Sequence, residues 1–304
     1  MTFQATIDAE LEAVVAAYKK LDPDGSRTAQ VIRNTFDQLY NGQLTGRFCW
    51  EQLHKTEKTH CGTLIEINLH REFNFEDGSE MDYKIAGVEV DCKYSQTINA
   101  WMIPPEARGH LCLVVSALDN VSPTWSMGLV RVTTERLNAG GNRDAKSTLN
   151  DAGRKAISWL FKNSPLPPNV LLQIERDVIK RIMAHKSGQA AIKDLFRFAQ
   201  CKIVGRAAVA TVAKQADYMK RVRANGGART ALKPEGILIL GQFKSHAAIA
   251  RSLDIPVPGQ GDTISVRIAR ASQPGDGVAK IGNHFWRVAS PNDPVITAPD
   301  LPKT

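Results

Sequence analysis

No apolar run in this 304-residue chain is long enough to cross a bilayer. Stretches such as LCLVV at 111–115 fall far short of the roughly 20 residues a spanning helix needs. The start, MTFQATIDAELEAVVAAYKK, is acidic before it is apolar and lacks the basic stretch and small-residue cleavage site of a signal peptide. Neither export nor membrane insertion is expected. Cys49, Cys61, Cys92, Cys112 and Cys201 form no C-x-x-C pair and leave an odd one over, which argues against a disulfide framework and against a zinc site. A reduced cytoplasm is the expected compartment. His54, His60, His70, His110, His185, His246 and His284 lack metal-ligand spacing and read as structural or surface residues. NAGGNRDAKST at 138–148 lacks the spacing of a phosphate loop, so nucleotide hydrolysis has no support. Trp101, Trp125, Trp159 and Trp286 are too scattered to form a base-stacking platform and are expected in the core or at a domain interface.

The rest of the composition, 23% charged and 43% hydrophobic residues, is that of a soluble globular protein with room for two domains. Disorder is not expected except at the Pro-rich end. The net charge of +8 is unevenly divided. From residue 170 onward there are 21 Lys and Arg against 10 Asp and Glu, whereas residues 1–169 hold 18 against 21. A positive second half is either a solvated surface or the footprint of a polyanion, since neutralising phosphates releases counterions and supplies sequence-independent affinity. NSPLPPNV at 163–170 carries three prolines and follows the helical-looking GRKAISWLFK. The expected organisation is a first domain over 1–163, a linker at 164–170 and a second domain over 171–304.

The first half opens with two amphipathic helical patterns. Ile7, Leu11, Val14, Val15 and Tyr18 recur at three- and four-residue steps, and a second run over 26–42 lies between a Ser26 cap and Gly42. The period then changes. MDYKIAGVEVDCKYSQ (81–96) reads as two strands joined at Ala86-Gly87, and LCLVVSAL (111–118) and MGLVRVT (127–133) read as further strands. DAKSTLNDAGRKAISWLF returns to a helical pattern, so the class is α/β with a central sheet.

Within the hairpin, strand alternation puts Glu89, Asp91 and Lys93 on one side and Val88, Val90 and Cys92 on the other. An aspartate and a lysine two positions apart, with Asp82 upstream on the paired strand, form the Asp…(Asp/Glu)-x-Lys arrangement of many metal-dependent nucleases. Two carboxylates can hold Mg²⁺ beside a scissile phosphate, and a lysine can orient the attacking water and stabilise developing negative charge. The short pattern is not selective. It recurs at Asp82-Tyr83-Lys84 and Asp144-Ala145-Lys146, and a cross-strand ion pair is the alternative reading of Asp91 and Lys93. Glu66, on an expected helix with Leu64, Ile67 and Leu69 turned inward, is a third carboxylate that can approach the same place, or else a solvated helix-face residue.

At these residues the chain resembles the NaeI-type restriction endonucleases. TEKTHCGTLIEINLHREF, DYKIAGVEVDCKYSQ and WMIPPEARGHLCLVV are similar to that family's catalytic core, and SGQAAIKDLF, IVGRAAVATVAKQADYMKRVRANGGAR and EGILILG to its second domain. The resemblance covers nearly the whole chain. It implies a restriction-endonuclease-like PD-(D/E)xK core followed by a winged-helix-like α+β DNA-binding domain. Glu66, Asp82, Asp91 and Lys93 are then the catalytic set, the three carboxylates holding Mg²⁺. It further implies a homodimer cutting double-stranded DNA at a palindrome, a second DNA copy bound as effector, and a cognate methyltransferase in the same system.

The second half accommodates that domain. Ile192, Leu195, Phe196 and Ala199 share a helical face, as do Val209, Val212, Ala216 and Met219, which suggests a helix-turn-helix; SHAAIARSLDIPVP followed by strand-like TISVRIARA and NHFWRVA suggests a wing. Lys214, Lys220, Arg221, Arg223, Arg229 and Lys233 face only Asp217 as an acid between 214 and 233 and are expected at phosphates, with Gly226-Gly227 allowing close backbone approach. Arg206 and Gln215 are further candidates for DNA contact. Ser95 and Gln96, just beyond Lys93, are candidates for base or backbone contact. Two other functions fit the residues: a repair or nicking nuclease with the same centre, and a DNA-binding regulator in which the hairpin is structural.

Overall fold

The computed structural model describes residues 8–140, 143–223 and 226–302. They form two compact units, one of Met1–Leu39 with Leu53–Pro168 and one of Tyr40–Gln52 with Asn169–Thr304. Among the described residues no helix is long and apolar enough to cross a membrane.

The first unit begins with α1 (Ala9–Leu21) and α2 (Ser26–Tyr40). Val14 and Tyr18 of α1 are buried as the spacing predicts, while Ile7 lies outside the described residues. Ser26 is not the cap of α2. It is an exposed first-turn residue, and the free amides of Arg27 and Thr28 donate instead to the buried Asp22 carboxylate. After α3 (Gly42–Thr45), which groups with the second unit, comes α4 (Lys55–Phe73). Its inward stripe is Cys61, Ile65, Leu69 and Phe73, so the expectation for Leu64 and Ile67 is out by a step: Ile67 is exposed.

A six-stranded sheet follows in the order β1 (Glu76–Asp77), β2 (Tyr83–Ile85), β3 (Val88–Ser95), β4 (Leu111–Leu118), β5 (Thr124–Arg131), β6 (Ser158–Pro165). Only the β3–β4 pair is parallel. β2 and β3 join through Ala86 and Gly87, both at positive φ (54° and 78°), the conformation a two-residue hairpin turn requires. β4 is buried on both faces from Leu111 to Ala117, and it reads as a continuous apolar run from Leu111 to Val115 for that reason. α4 packs over β3, while Trp101, Ile103, Val114, Val130 and Leu149 form a separate buried cluster.

The helical reading of 144–161 fails. α5 is only Asp151–Lys155, and the following segment is the edge strand β6, paired with β5 through register shifts. The Pro-rich stretch is correspondingly not a free linker at its start: β6 runs through Pro165, and Leu166 donates its N–H to Pro123. A proline at the end of an edge strand removes no internal ladder bond.

In the second unit, α6 (Arg176–Ala184) and α7 (Gly188–Phe198) precede β7 (Ile203–Val204) and α8 (Arg206–Ala213). Ile192, Leu195, Phe196 and Ala199 are all fully buried, as predicted. α8 stops earlier than its pattern suggests. Lys214 takes a left-handed conformation (φ 51°), Ala216 is exposed, and Tyr218–Arg221 is a separate 3₁₀ turn. α9 (Ala228–Ala231), β8 (Ile237–Gly241) and α10 (Lys244–Ser252) lead to β9 (Thr263–Ala271), β10 (Val278–Ile281) and β11 (His284–Val288). β9 is the spine of this sheet, pairing with β7, β8 and β11. The Pro-rich end is held in place: Ala298 is buried and donates to Lys233 O, and Asp300 pairs with the Lys233 ammonium.

Candidate active site

Antiparallel pairing of Tyr83 with Val90 sets Asp82 opposite Asp91 across the hairpin. The Lys93 ammonium donates to Asp91 Oδ1 at 2.5 Å and lies 3.5 Å from Asp82 Oδ2. It also donates to the Cys92 carbonyl at 2.9 Å. Asp82 Oδ2 accepts the Cys92 N–H at 2.7 Å, so the backbone of β3 helps orient this carboxylate. Asp91 is 4% exposed, and its other oxygen lies 3.5 Å from the thiol of Cys112, the residue beside it on β4. α4 is tied to the hairpin where Tyr83 donates its phenol proton to the carbonyl of Glu66 at 2.7 Å.

The electrostatics follow from this convergence. Burial, then the Asp82 carboxylate, push Glu66 up to about 7, more than the Lys93 charge offsets. Burial raises Asp91 as well, against the pull of Lys93. For Lys93 burial alone would favour the neutral amine, but the charge and hydrogen bond of Asp91, with the charge of Asp82, overcome it and hold the ammonium more firmly than in water. The result is an acidic group in which one cation answers two carboxylates. Among the described residues, no three His, Cys, Asp or Glu side chains converge closely enough to hold a metal ion as they stand.

Of the charged face expected on β3, Glu89 goes elsewhere. It accepts the N–H groups of Ser79, Glu80 and Met81 and pairs with Lys84, and those backbone bonds pull it down to about 2. The recurring short pattern is thereby sorted by geometry. Lys84 faces Ser79 and Glu89, and Asp144 is an exposed loop residue outside any strand. Ser95 and Gln96 lie at the end of β3, the Ser95 hydroxyl accepting the Thr97 N–H.

The basic segment of the second unit divides. Arg206, Arg223 and Arg229 line one cleft of about 220 Å³ with Gln242, Phe243 and Asp262. Arg229 is held there by its bond to the Ile239 carbonyl. Burial and the nearby Arg229 charge push His246 down to about 4, and its Nδ1 accepts the Gly241 N–H. Lys220 is exposed, 3.8 Å from Asp217. Lys214 donates to the Met183 carbonyl, Arg221 to Gln215, and Lys233 meets Asp300, so these side chains serve internal bonds. Gly226 is exposed at φ 75°, but Gly227 packs against the Arg223 carbonyl, where a Cβ would come within 2.3 Å. Sequence reasoning missed the cleft's other wall, Gln242, Phe243 and Asp262, because those residues come from the β8–α10 and α10–β9 connections, far along the chain.

A family model described as restriction endonuclease NaeI matches residues 12–297. The type II restriction enzyme NaeI of Lentzea aerocolonigenes is 49% identical over 305 aligned residues, covering 97% of this chain and 95% of that protein. Similarity of this extent defines a type II restriction enzyme, a hydrolase that cuts DNA at a specific sequence. The chain belongs to the NaeI restriction endonuclease family. That membership sets aside the regulator and the repair nuclease as functions of the chain.

Proposed function

We propose that Glu66, Asp82, Asp91 and Lys93 form the cleavage centre, and that it works with Mg²⁺ on a palindromic site to leave 5′-phosphate and 3′-hydroxyl ends. The observation that carries this reading is the contact of Lys93 with both Asp91 and Asp82 beside a carboxyl already raised to about 7. Three mutually repelling carboxylates are the oxygen donor chemistry a hard divalent cation takes, so Glu66, Asp82 and Asp91 would hold it. Bound there, the cation would supply charge neutralisation at the scissile phosphate and a more acidic water. Lys93 orients the attacking water and stabilises the charge that develops on the phosphate oxygens. Cys112 and the Cys92 N–H keep Asp91 and Asp82 in place.

In this reading the first unit is a PD-(D/E)xK nuclease core and the second a winged-helix-like DNA-binding domain that takes a second duplex as effector. The arginine-lined cleft supports the latter, because phosphate and base contacts both call on guanidinium groups. Ser95 and Gln96 contact the substrate duplex. A palindrome calls for two centres related by a two-fold axis, hence a homodimer. A cognate methyltransferase protects the host without touching this chain.

The test is plasmid cleavage with end mapping. Sharp double-strand cuts are expected in Mg²⁺, binding without cutting in Ca²⁺, and no cutting in EDTA. Undiminished cleavage in EDTA removes the metal mechanism.

A further inference from the structure

A second cleft lies in the first unit, about 290 Å³, lined by Gln96, Thr97, Ser116, Thr124, Ser126 and Asn163, with Ile98 and Leu118 also on its walls. Strand register relates it to the cleavage centre. Asp91 pairs with Cys112, Lys93 with Val114 and Ser95 with Ser116, and Ser116 in turn pairs with Ser126. Paired residues share a face of the sheet, so Ser95, Ser116 and Ser126 form a hydroxyl row on the face that carries Asp91 and Lys93. The row is one pleat repeat beyond Lys93, roughly 7 Å along the strands, about one nucleotide step.

Two features separate this cleft from a packing defect. Ser116 is 5% exposed, yet its hydroxyl has no hydrogen-bond partner among the described residues, a cost that a protein rarely carries without a use. None of the lining residues is charged, although 23% of the chain is. A phosphate would be matched by lysine or arginine, and a metal by carboxylates. Amides and hydroxyls above an apolar wall match a nucleobase, whose edge offers neutral donors and acceptors and whose face is apolar. Asn163 is held for such a contact: its backbone sits in the left-handed region (φ 52°) and its N–H donates to Ser126 Oγ, leaving the side chain exposed.

We propose that this cleft reads one base of the substrate DNA next to the scissile phosphate, with Gln96 and Asn163 at its rim and Ser116 at its floor as specificity-determining residues. The inference rests on the cleavage centre proposed above and adds to it a site of base recognition.

The experiment uses the full-length enzyme and a set of duplexes in which each base pair of its mapped site is replaced in turn. Cleavage and, in Ca²⁺, competition binding are measured for Gln96→Ala, Asn163→Gly and Ser116→Ala. Asn163→Gly keeps the left-handed backbone. The expected result is discrimination reduced by about 10- to 100-fold at one symmetric pair of positions and kept at the others, the scale of one good base contact. Equal weakening on all duplexes, or unchanged discrimination, overturns the proposal. Asp91→Ala is tested alongside. If it still cuts, the assignment of the centre fails, whereas the discrimination ratios judge the cleft by themselves.

Discussion

In the first unit, two acids and a lysine meet within 3.5 Å, although residues 1–169 carry only three more acidic than basic groups. In the second, six basic side chains fall within residues 214–233, yet they scatter: Arg223 and Arg229 reach a common cleft while Lys214, Arg221 and Lys233 are bound to neighbouring groups of the fold. Charge density along the chain is therefore a poor guide to where charge acts. A hairpin brings alternate residues to one face and opposite residues within reach, so short spacing is converted directly into a site. A segment of broken helix and turn has no such rule, and each side chain goes to whichever acceptor its local backbone presents.

The sharpest way to break this contrast is at its concentrated end. Asp91→Ala or Lys93→Ala is expected to lower plasmid cleavage by on the order of 10³-fold or more, with folding and DNA binding kept. Near wild-type cutting by either purified variant would remove that residue from the centre.

At the dispersed end the effect is smaller and selective. Arg206→Ala with Arg223→Ala is expected to flatten the salt dependence of DNA binding by about 0.9 in log–log slope for each phosphate that is no longer neutralised. Lys233→Ala is expected to leave that slope alone, since its ammonium already meets Asp300. Equal slopes for all three substitutions would mean that the cleft has no privileged role.

The two units are also expected to answer pH in opposite senses. Glu66, raised to about 7 in the fold, binds its proton more tightly folded than unfolded. The first unit thus loses stability as pH rises from the ordinary carboxyl range through 7, and in chelating buffer at pH 8 Glu66→Gln should stabilise it by roughly 1–2 kcal/mol after allowance for solvent screening. His246, lowered to about 4, must stay neutral in the fold. The second unit then loses up to roughly 2 kcal/mol as pH falls from 6.5 toward 4. His246→Asn, which can keep an acceptor for Gly241, should flatten that loss. Urea titrations across pH check both, and parallel profiles for wild type and variants would contradict them.

The smallest effect concerns the turn that creates the hairpin. Ala86 sits at φ 54°, so Ala86→Gly is expected to stabilise the first unit by about 0.5–1 kcal/mol with cleavage unchanged. A loss of stability on thermal unfolding would show that Ala86 makes contacts that outweigh its strain.

Much of this protein was settled by the order of its residues alone. Alternation over 81–96 and the continuous apolar run 111–115 specify β3 and β4, because a pleat has a period of two and a strand buried on both faces is dominated by apolar residues. The spacing Asp91-x-Lys93, with Asp82 across a two-residue turn, already contained the contact geometry. Tertiary structure decided the rest. Residues 144–161 have a pattern that suits a helix, but from Ser158 onward the open edge of β5 offers the backbone a ladder, and that pairing prevailed. Glu89 stands in the same alternation as Asp91, yet three free amides at 79–81 claim it. Glu66 feels the charges of Asp82 and Lys93 because α4 lies over β3 and Tyr83 bonds its carbonyl. Long-range neighbours of this kind leave no period in the sequence, since their spacing is set by packing between elements and not by the repeat within one.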